Sequence, residues 1–244
     1  MRRFPQPVRK IITLAFAGLL LAGCGNESAT IRYRATAEVV IDGEVRTGSA
    51  VREATFTETP NSLIGFGLSL SDDGEAIVVD TGIPDNAIYV LRNHRSGGGQ
   101  SLSGVMQSCF KVESDSAGTG WTAAFDKIPV GSRCRIAPGD IHKNVMPLIV
   151  AFRSEAVPKS IFEVSPETLK SVFGVEGRFQ GMTFEKVSRN IPLTKAVDAR
   201  LPWLDDIPFD GTTIRVLEPY DTTIRRRRSE VPLSYTVTDY YFRD

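Results

Sequence analysis

The run Ile31-Arg32-Tyr33-Arg34-Ala35-Thr36-Ala37-Glu38-Val39-Val40-Ile41, followed at once by Asp42-Gly43, constrains this chain more than any other stretch. The run is rich in strand-forming residues, and Asp-Gly is favoured in two-residue type I′ turns, where both central residues need positive φ. A return strand is expected from Glu44 to Phe56, carrying Val45, Val51 and Phe56 among charged residues, with Gly48-Ser49 as a candidate bulge. The mature part of the chain therefore opens on an antiparallel hairpin.

Ahead of that hairpin lies a segment of a different kind. Arg2, Arg3, Arg9 and Lys10 form a positive region with no acidic residue among them, and an apolar run follows from Ile11 to Ala22. Its length suits the apolar region of a signal peptide, whereas a spanning helix needs about 20 apolar residues. Leu21-Ala22-Gly23-Cys24 closes the run, and Gly25-Asn26-Glu27-Ser28 turns polar directly after it. This arrangement resembles the signal peptide and lipobox of bacterial lipoproteins. The resemblance implies cleavage before Cys24, a diacylglyceryl thioether on its sulfur, and usually acylation of the new N-terminus. One acyl chain binds membranes only marginally, so the additional chains make the anchor durable. An ordinary secreted protein with a chance Cys is the alternative, but such leaders more often end in an Ala-x-Ala pattern. Gly25 stands where an Asp would signal inner-membrane retention in enteric bacteria, so the expected address is periplasm-facing on the outer membrane.

Removing residues 1–23 leaves 221 of 244, enough for one large domain or two small ones. Taking the leader's four cations from 29 leaves 25 basic residues against 29 acidic ones. That mildly acidic balance argues against a nucleic-acid partner. With Cys24 lipidated, Cys109 and Cys134 remain, and in an oxidising compartment two such thiols suggest one disulfide. It would close a 25-residue loop containing the floppy Ser114–Gly120 segment, for about 3 kcal/mol of loop-entropy stabilisation. Two separately buried thiols are the alternative.

Along the body, Leu63–Leu70 and Ala76–Val79 read as strands split by a turn at Ser71-Asp72-Asp73-Gly74. Ile83–Arg92 is open between helix and strand, and residues 93–104 form a Gly/Ser-rich loop. That loop lacks the Lys-Ser/Thr of a Walker loop and the Rossmann spacing. Met146–Phe152 reads as a buried strand with Leu148–Phe152 central, and Ser160–Val164 as another. Ser165 as N-cap, Pro166 at the first helical position, Glu167 in the first turn and Gly174 as a stop define a helix. Phe179–Val187 returns as a strand. Leu193–Leu204 is expected to hold a short helix capped by Thr194, with Trp203 pinning the segment to the body. Tyr235–Phe242 is β-rich.

Several blocks also resemble a group of proteobacterial envelope proteins in which similar segments recur in the same order. They are Ile31–Arg34 with Arg46–Ser49, Met146–Arg153, Val157–Lys159, Ser165–Gly174 and Arg200–Leu204. The resemblance spans most of residues 31–204. It implies one integrated domain and brings no activity or site with it.

The search for chemistry yields decoys. His94 and His142 are read as loop residues, and no ligand spacing supports a metal. Ser108-Cys109-Phe110-Lys111 spells the Ser-x-x-Lys of penicillin-binding proteins, with Ser188-Arg189-Asn190 downstream. The triplet nearest to their Lys-Thr-Gly, Arg46-Thr47-Gly48, lies upstream on a hairpin, and Ser108 is expected on a strand. Asp72-Asp73 and Asp205-Asp206 are read as turn formers, because adjacent carboxyls point apart while glycosidases hold theirs about 5–10 Å apart across a cleft. Arg225-Arg226-Arg227-Arg228 is read as a solvated flank, with recruitment to acidic lipid or an envelope protein partner as the alternative.

These readings predict an α+β fold, mainly antiparallel sheet with one or two short helices. Residues 1–23 are assigned to a signal peptide, 24–30 to a lipidated flexible tether and 31–244 to a single domain. Cys24 is the expected lipidation site and Cys109–Cys134 the expected disulfide; no catalytic, cofactor or metal residue is assigned. A structural or binding module held to the membrane by its lipid is expected, with an envelope hydrolase of non-contiguous active site as the alternative.

Overall fold

The computed structural model describes residues 27–61, 65–94, 101–113, 120–140, 146–206, 214–215 and 236–237. The leader with Cys24, the Gly97–Gly99 run, His142 and Arg225–Arg228 lie outside the described residues. The fold is α+β and mainly antiparallel sheet, as expected.

The opening hairpin forms as its turn residues dictate. β1 (Glu27–Ile41) pairs with β2 (Glu44–Asn61) in unbroken register from Glu27↔Glu58 to Ile41↔Glu44. Asp42 and Gly43 take φ of 48° and 84°, the pair of positive values that a type I′ turn requires. β1 starts four residues earlier than expected, so residues 27–30, assigned to the tether, belong to the strand. No bulge occurs at Gly48-Ser49, which pair in register with Ala37 and Thr36. Gly48 is needed for a different reason. A Cβ there would lie within 1.9 Å of the Val78 carbonyl oxygen, where the second sheet crosses β2.

The larger sheet has the order β3-β2-β1-β9-β6, with β3 spanning Gly65–Asp73, β6 Arg133–Ile136 and β9 Gly177–Lys186. Its register shifts once, opposite Glu38 and Val39, where β9 bulges. The smaller sheet has the order β4-β5-β7-β8, from Ile77–Asp80, Ala87–His94, Pro147–Phe152 and Ile161–Glu163. The open question at Ile83–Arg92 is settled as strand from Ala87 onward, with a turn over Ile83–Asn86 before it. Ser71, Asp72 and Asp73 end β3 instead of forming a turn, and the chain bends at Gly74.

The two sheets stack. Ile31, Tyr33, Ala35, Ala37 and Val39 from β1 share a core with Ile77, Val79, Ile88, Val90 and Ile149 from the smaller sheet. The smaller sheet is covered on its other face too. Tyr89, Leu91, Leu148, Val150 and Phe152 pack there against Val197, Leu201 and Leu204. Every residue of β7 is consequently buried, which is why its sequence is a continuous apolar run.

Four short α-helices occur among the described residues, where one or two were expected. α1 (Ser101–Cys109) and α2 (Trp121–Asp126) add Leu102, Val105, Met106 and Phe125 to the core between the sheets. α3 (Pro166–Phe173) is capped as its sequence predicts: Thr168 N–H donates to Ser165 Oγ at 3.1 Å and Gly174 ends it in the left-handed region. α4 (Val197–Arg200) lies in the C-terminal cover. Thr194 does not cap it. The Thr194 hydroxyl accepts from Val51 N–H at 2.8 Å and its own N–H donates to the Val51 carbonyl, sewing this segment to β2. Of the β-rich end, Thr236–Val237 are described, as β11 paired with β10 (Ile214–Arg215).

Candidate functional site

The residues singled out for chemistry do not converge. Ser108 sits in the last turn of α1, not on a strand; it is exposed, and its hydroxyl donates to the Gly104 carbonyl at 3.0 Å. Lys111 follows with a left-handed φ of 52°. Ser188 Oγ accepts from its neighbour Asn190 N–H at 3.3 Å, a local turn contact. His94 ends β5, opposite Pro147, so it is a strand residue and not a loop residue. Asp205 and Asp206 close a 3-10 turn at Pro202–Asp206. No group of three His, Cys, Asp or Glu suited to a metal occurs among the described residues.

Cys109 and Cys134 do come together. Their Cα atoms stand 5.8 Å apart, within disulfide distance, linking the last residue of α1 to edge strand β6. The link fastens a helix that begins beside a glycine-rich stretch.

The most unusual chemistry lies between the sheets, at residues that were read as turn formers or passed over. Tyr33, Arg52 and Asp72 occupy the inner face of three neighbouring strands and are fully buried. Arg52 Nη2 stands 3.1 Å from Asp72 Oδ1, and the Tyr33 hydroxyl donates to the same oxygen at 3.2 Å. Burial works against the Arg52 charge, but Asp72 and Tyr33 more than offset it and hold its pKa above the usual value. Burial, reinforced by the Asp72 carboxylate, pushes the Tyr33 phenol upward. Arg52 also donates from Nη1 to the Glu75 carbonyl. From the opposite sheet, buried Arg92 donates to the Asp72 carbonyl. The cluster thus bolts the two sheets together through backbone and side chain.

Other buried carboxylates serve backbone ends. Glu75 accepts N–H groups of Ala196 and Val197 at the start of α4, the latter at 2.9 Å. Burial raises its pKa, and those backbone donors only partly counter the rise. Glu58 accepts from Trp121 and Thr122 N–H at the start of α2. On the outer side of the smaller sheet, Arg200 grips Glu155 with both Nε and Nη2, and Trp203 Nε1 donates to the Glu155 carbonyl at 2.5 Å. Trp203 also packs edge-on against Phe152, so it pins the segment as expected. Nearby, burial first and Glu155 second push the Tyr89 phenol upward.

Open depressions mark the surface, two of them lined by described residues. One of about 650 Å³ lies near the hairpin turn, between Glu38, Val45, Arg135 and Glu176. Another of about 540 Å³ lies between the ends of α1 and α2 and is lined by Phe110, Lys111, Lys127 and Ile128. Neither contains a His or a Cys among its lining residues. No family model, curated protein or solved structure matches the chain.

Sequence reasoning passed over Arg52, Arg92 and Glu75. A signal was present: Arg92 ends the apolar run Ile88-Tyr89-Val90-Leu91, and Arg52 follows Ala50-Val51. A cation inside a strand of that kind needs a buried partner.

Proposed function

We propose that the chain is a lipid-anchored cell-envelope protein, held at the membrane through Cys24 and facing the periplasm, whose body serves as a structural or binding module. The observation that carries this reading is Leu21-Ala22-Gly23-Cys24 at the end of a basic, then apolar, leader. The close approach of Cys109 and Cys134 supports it, because it leaves Cys24 as the one cysteine outside that pair and suits an oxidising compartment. The module reading draws on how the buried carboxylates are used. Asp72 is held by Arg52 and Tyr33, Glu155 by Arg200, and Glu58 and Glu75 by backbone N–H groups. These acids are engaged in holding sheets and helices together.

The test is substitution of Cys24 by Ser in the full chain, followed by metabolic lipid labelling and membrane fractionation. Loss of label and release from the membrane fraction are expected. Undiminished membrane association would remove the anchoring reading. Separation of inner from outer membranes in the same experiment tests the outer-membrane address, for which Gly25 is the warrant.

A further inference from the structure

We propose that the Glu27 end of the opening hairpin, with the start of α2 and its Trp121, rests on the phospholipid headgroup layer. This rests on lipidation of Cys24 and adds which part of the body meets the membrane. Only Gly25 and Asn26 separate Cys24 from Glu27, the first residue of β1. That much chain reaches at most about 11 Å. A lipidated Cys24 therefore holds the Glu27 end of β1 against the bilayer surface, whatever path those residues take.

The groups gathered at that end suit such a surface. Thr122 donates its hydroxyl to Glu27 at 3.4 Å, which places the start of α2 beside the anchor. Glu58, paired with Glu27 across the hairpin, accepts the Trp121 N–H and fixes that tryptophan there, part exposed. Through β9, Arg133 at the start of β6 stands level with Arg34, seven residues along β1 from Glu27, so the loop before β6 is set back from this end. The carboxylates of Glu27 and Glu58 stand at this end, which disfavours an acidic lipid surface there. A part-exposed tryptophan at the anchored end matches the headgroup layer, where tryptophan is enriched. The occupant is accordingly a neutral phospholipid surface.

The molecule supplies its own control. Trp203 packs on Phe152 behind the smaller sheet. That face of the smaller sheet is turned away from β1, whose core residues pack on its other face.

The experiment uses the full chain expressed in a bacterial host, purified from membranes and reconstituted into phosphatidylcholine vesicles bearing a headgroup nitroxide. Mass spectrometry first records the state of Cys24. Tryptophan emission is then compared for Trp203→Phe, in which Trp121 alone emits, and Trp121→Phe, in which Trp203 alone emits. Should Trp203→Phe fail to fold, the difference between wild type and Trp121→Phe reports the same quantity. About twofold quenching of Trp121, with Trp203 little changed, is the expected result. Equal emission with and without nitroxide for both, on lipidated protein bound to vesicles, overturns the orientation while leaving the anchor intact. Stronger quenching of Trp203 than of Trp121 overturns it also. Trp121 unquenched on vesicles yet shielded from iodide in whole envelopes assigns this end to a protein cover and overturns it likewise. An unlipidated Cys24 removes both the anchoring reading and this one.

Discussion

The two sheets are built to opposite plans. The larger is buried on one face; β1 alternates between buried and part-exposed residues from Ala29 to Ile41. Its outer face carries ion pairs, with Arg34 and Arg133 on Glu185, Arg135 on Glu38 and Arg32 on Glu53. The smaller sheet has cover on both faces, and its central strand β7 is buried at every position. Charge in the first sheet is mostly placed outside, where water shares in solvating it. Between the sheets, the Arg52–Asp72 pair has no such help, and each charge depends on its partner. Ion pairs of similar geometry should therefore differ widely in energetic consequence.

The largest effect is expected at the buried pair. Asp72→Ala leaves the Arg52 guanidinium buried without its carboxylate, and urea denaturation should show a loss of about 3–5 kcal/mol. Replacing the pair together, Arg52→Met with Asp72→Leu, should recover most of that loss; a double variant as unstable as the single one would contradict the account. Next comes the covalent link. Cys109→Ser with Cys134→Ser should cost about 3 kcal/mol without changing the far-ultraviolet spectrum, because the core contacts of α1 through Leu102, Val105 and Met106 remain.

Glu75 gives a smaller effect with a definite sign. Its pKa is raised in the fold, so the folded state binds a proton that the unfolded state releases sooner. Its contribution is fully present below the unfolded value of about 4.3 and is lost as pH rises through the raised folded value. Glu75→Gln removes this titration. Wild type should lose stability relative to the variant as pH increases through that window, read from paired denaturation curves; the opposite trend would show that the backbone donors outweigh burial. The smallest effect belongs to the outer face. Glu185→Gln, which weakens two ion pairs at once, should cost less than about 1 kcal/mol and the cost should shrink with added salt.

The contrast between the sheets also explains what could be read from the sequence. Asp42-Gly43, the Ser165–Gly174 helix and Leu148–Phe152 were legible because local chemistry and burial agree there: a turn needing positive φ, a helix with its caps, a strand buried on both sides. α1 was hidden by Ser and Gly, although Leu102, Val105, Met106 and Cys109 carry the spacing of one helical face. Asp72 was misread because Asp-Asp-Gly has the composition of a turn. Only the pairing of Ala54 with Asp72 across β2 and β3 places that carboxyl beside Arg52. Thr194 was misassigned for a related reason, since a hydroxyl that suits a cap equally suits a distant strand N–H. Local propensity does not reveal a partner more than a hundred residues away in the chain.

The anchoring proposal is tested most directly by mass spectrometry of the N-terminal peptide of the protein taken from its membrane. A peptide that begins at Cys24 and carries a diacylglyceryl thioether, together with a linked Cys109–Cys134 peptide under non-reducing conditions, is the predicted result. A free Cys24 thiol, or a mature chain beginning elsewhere, would contradict it.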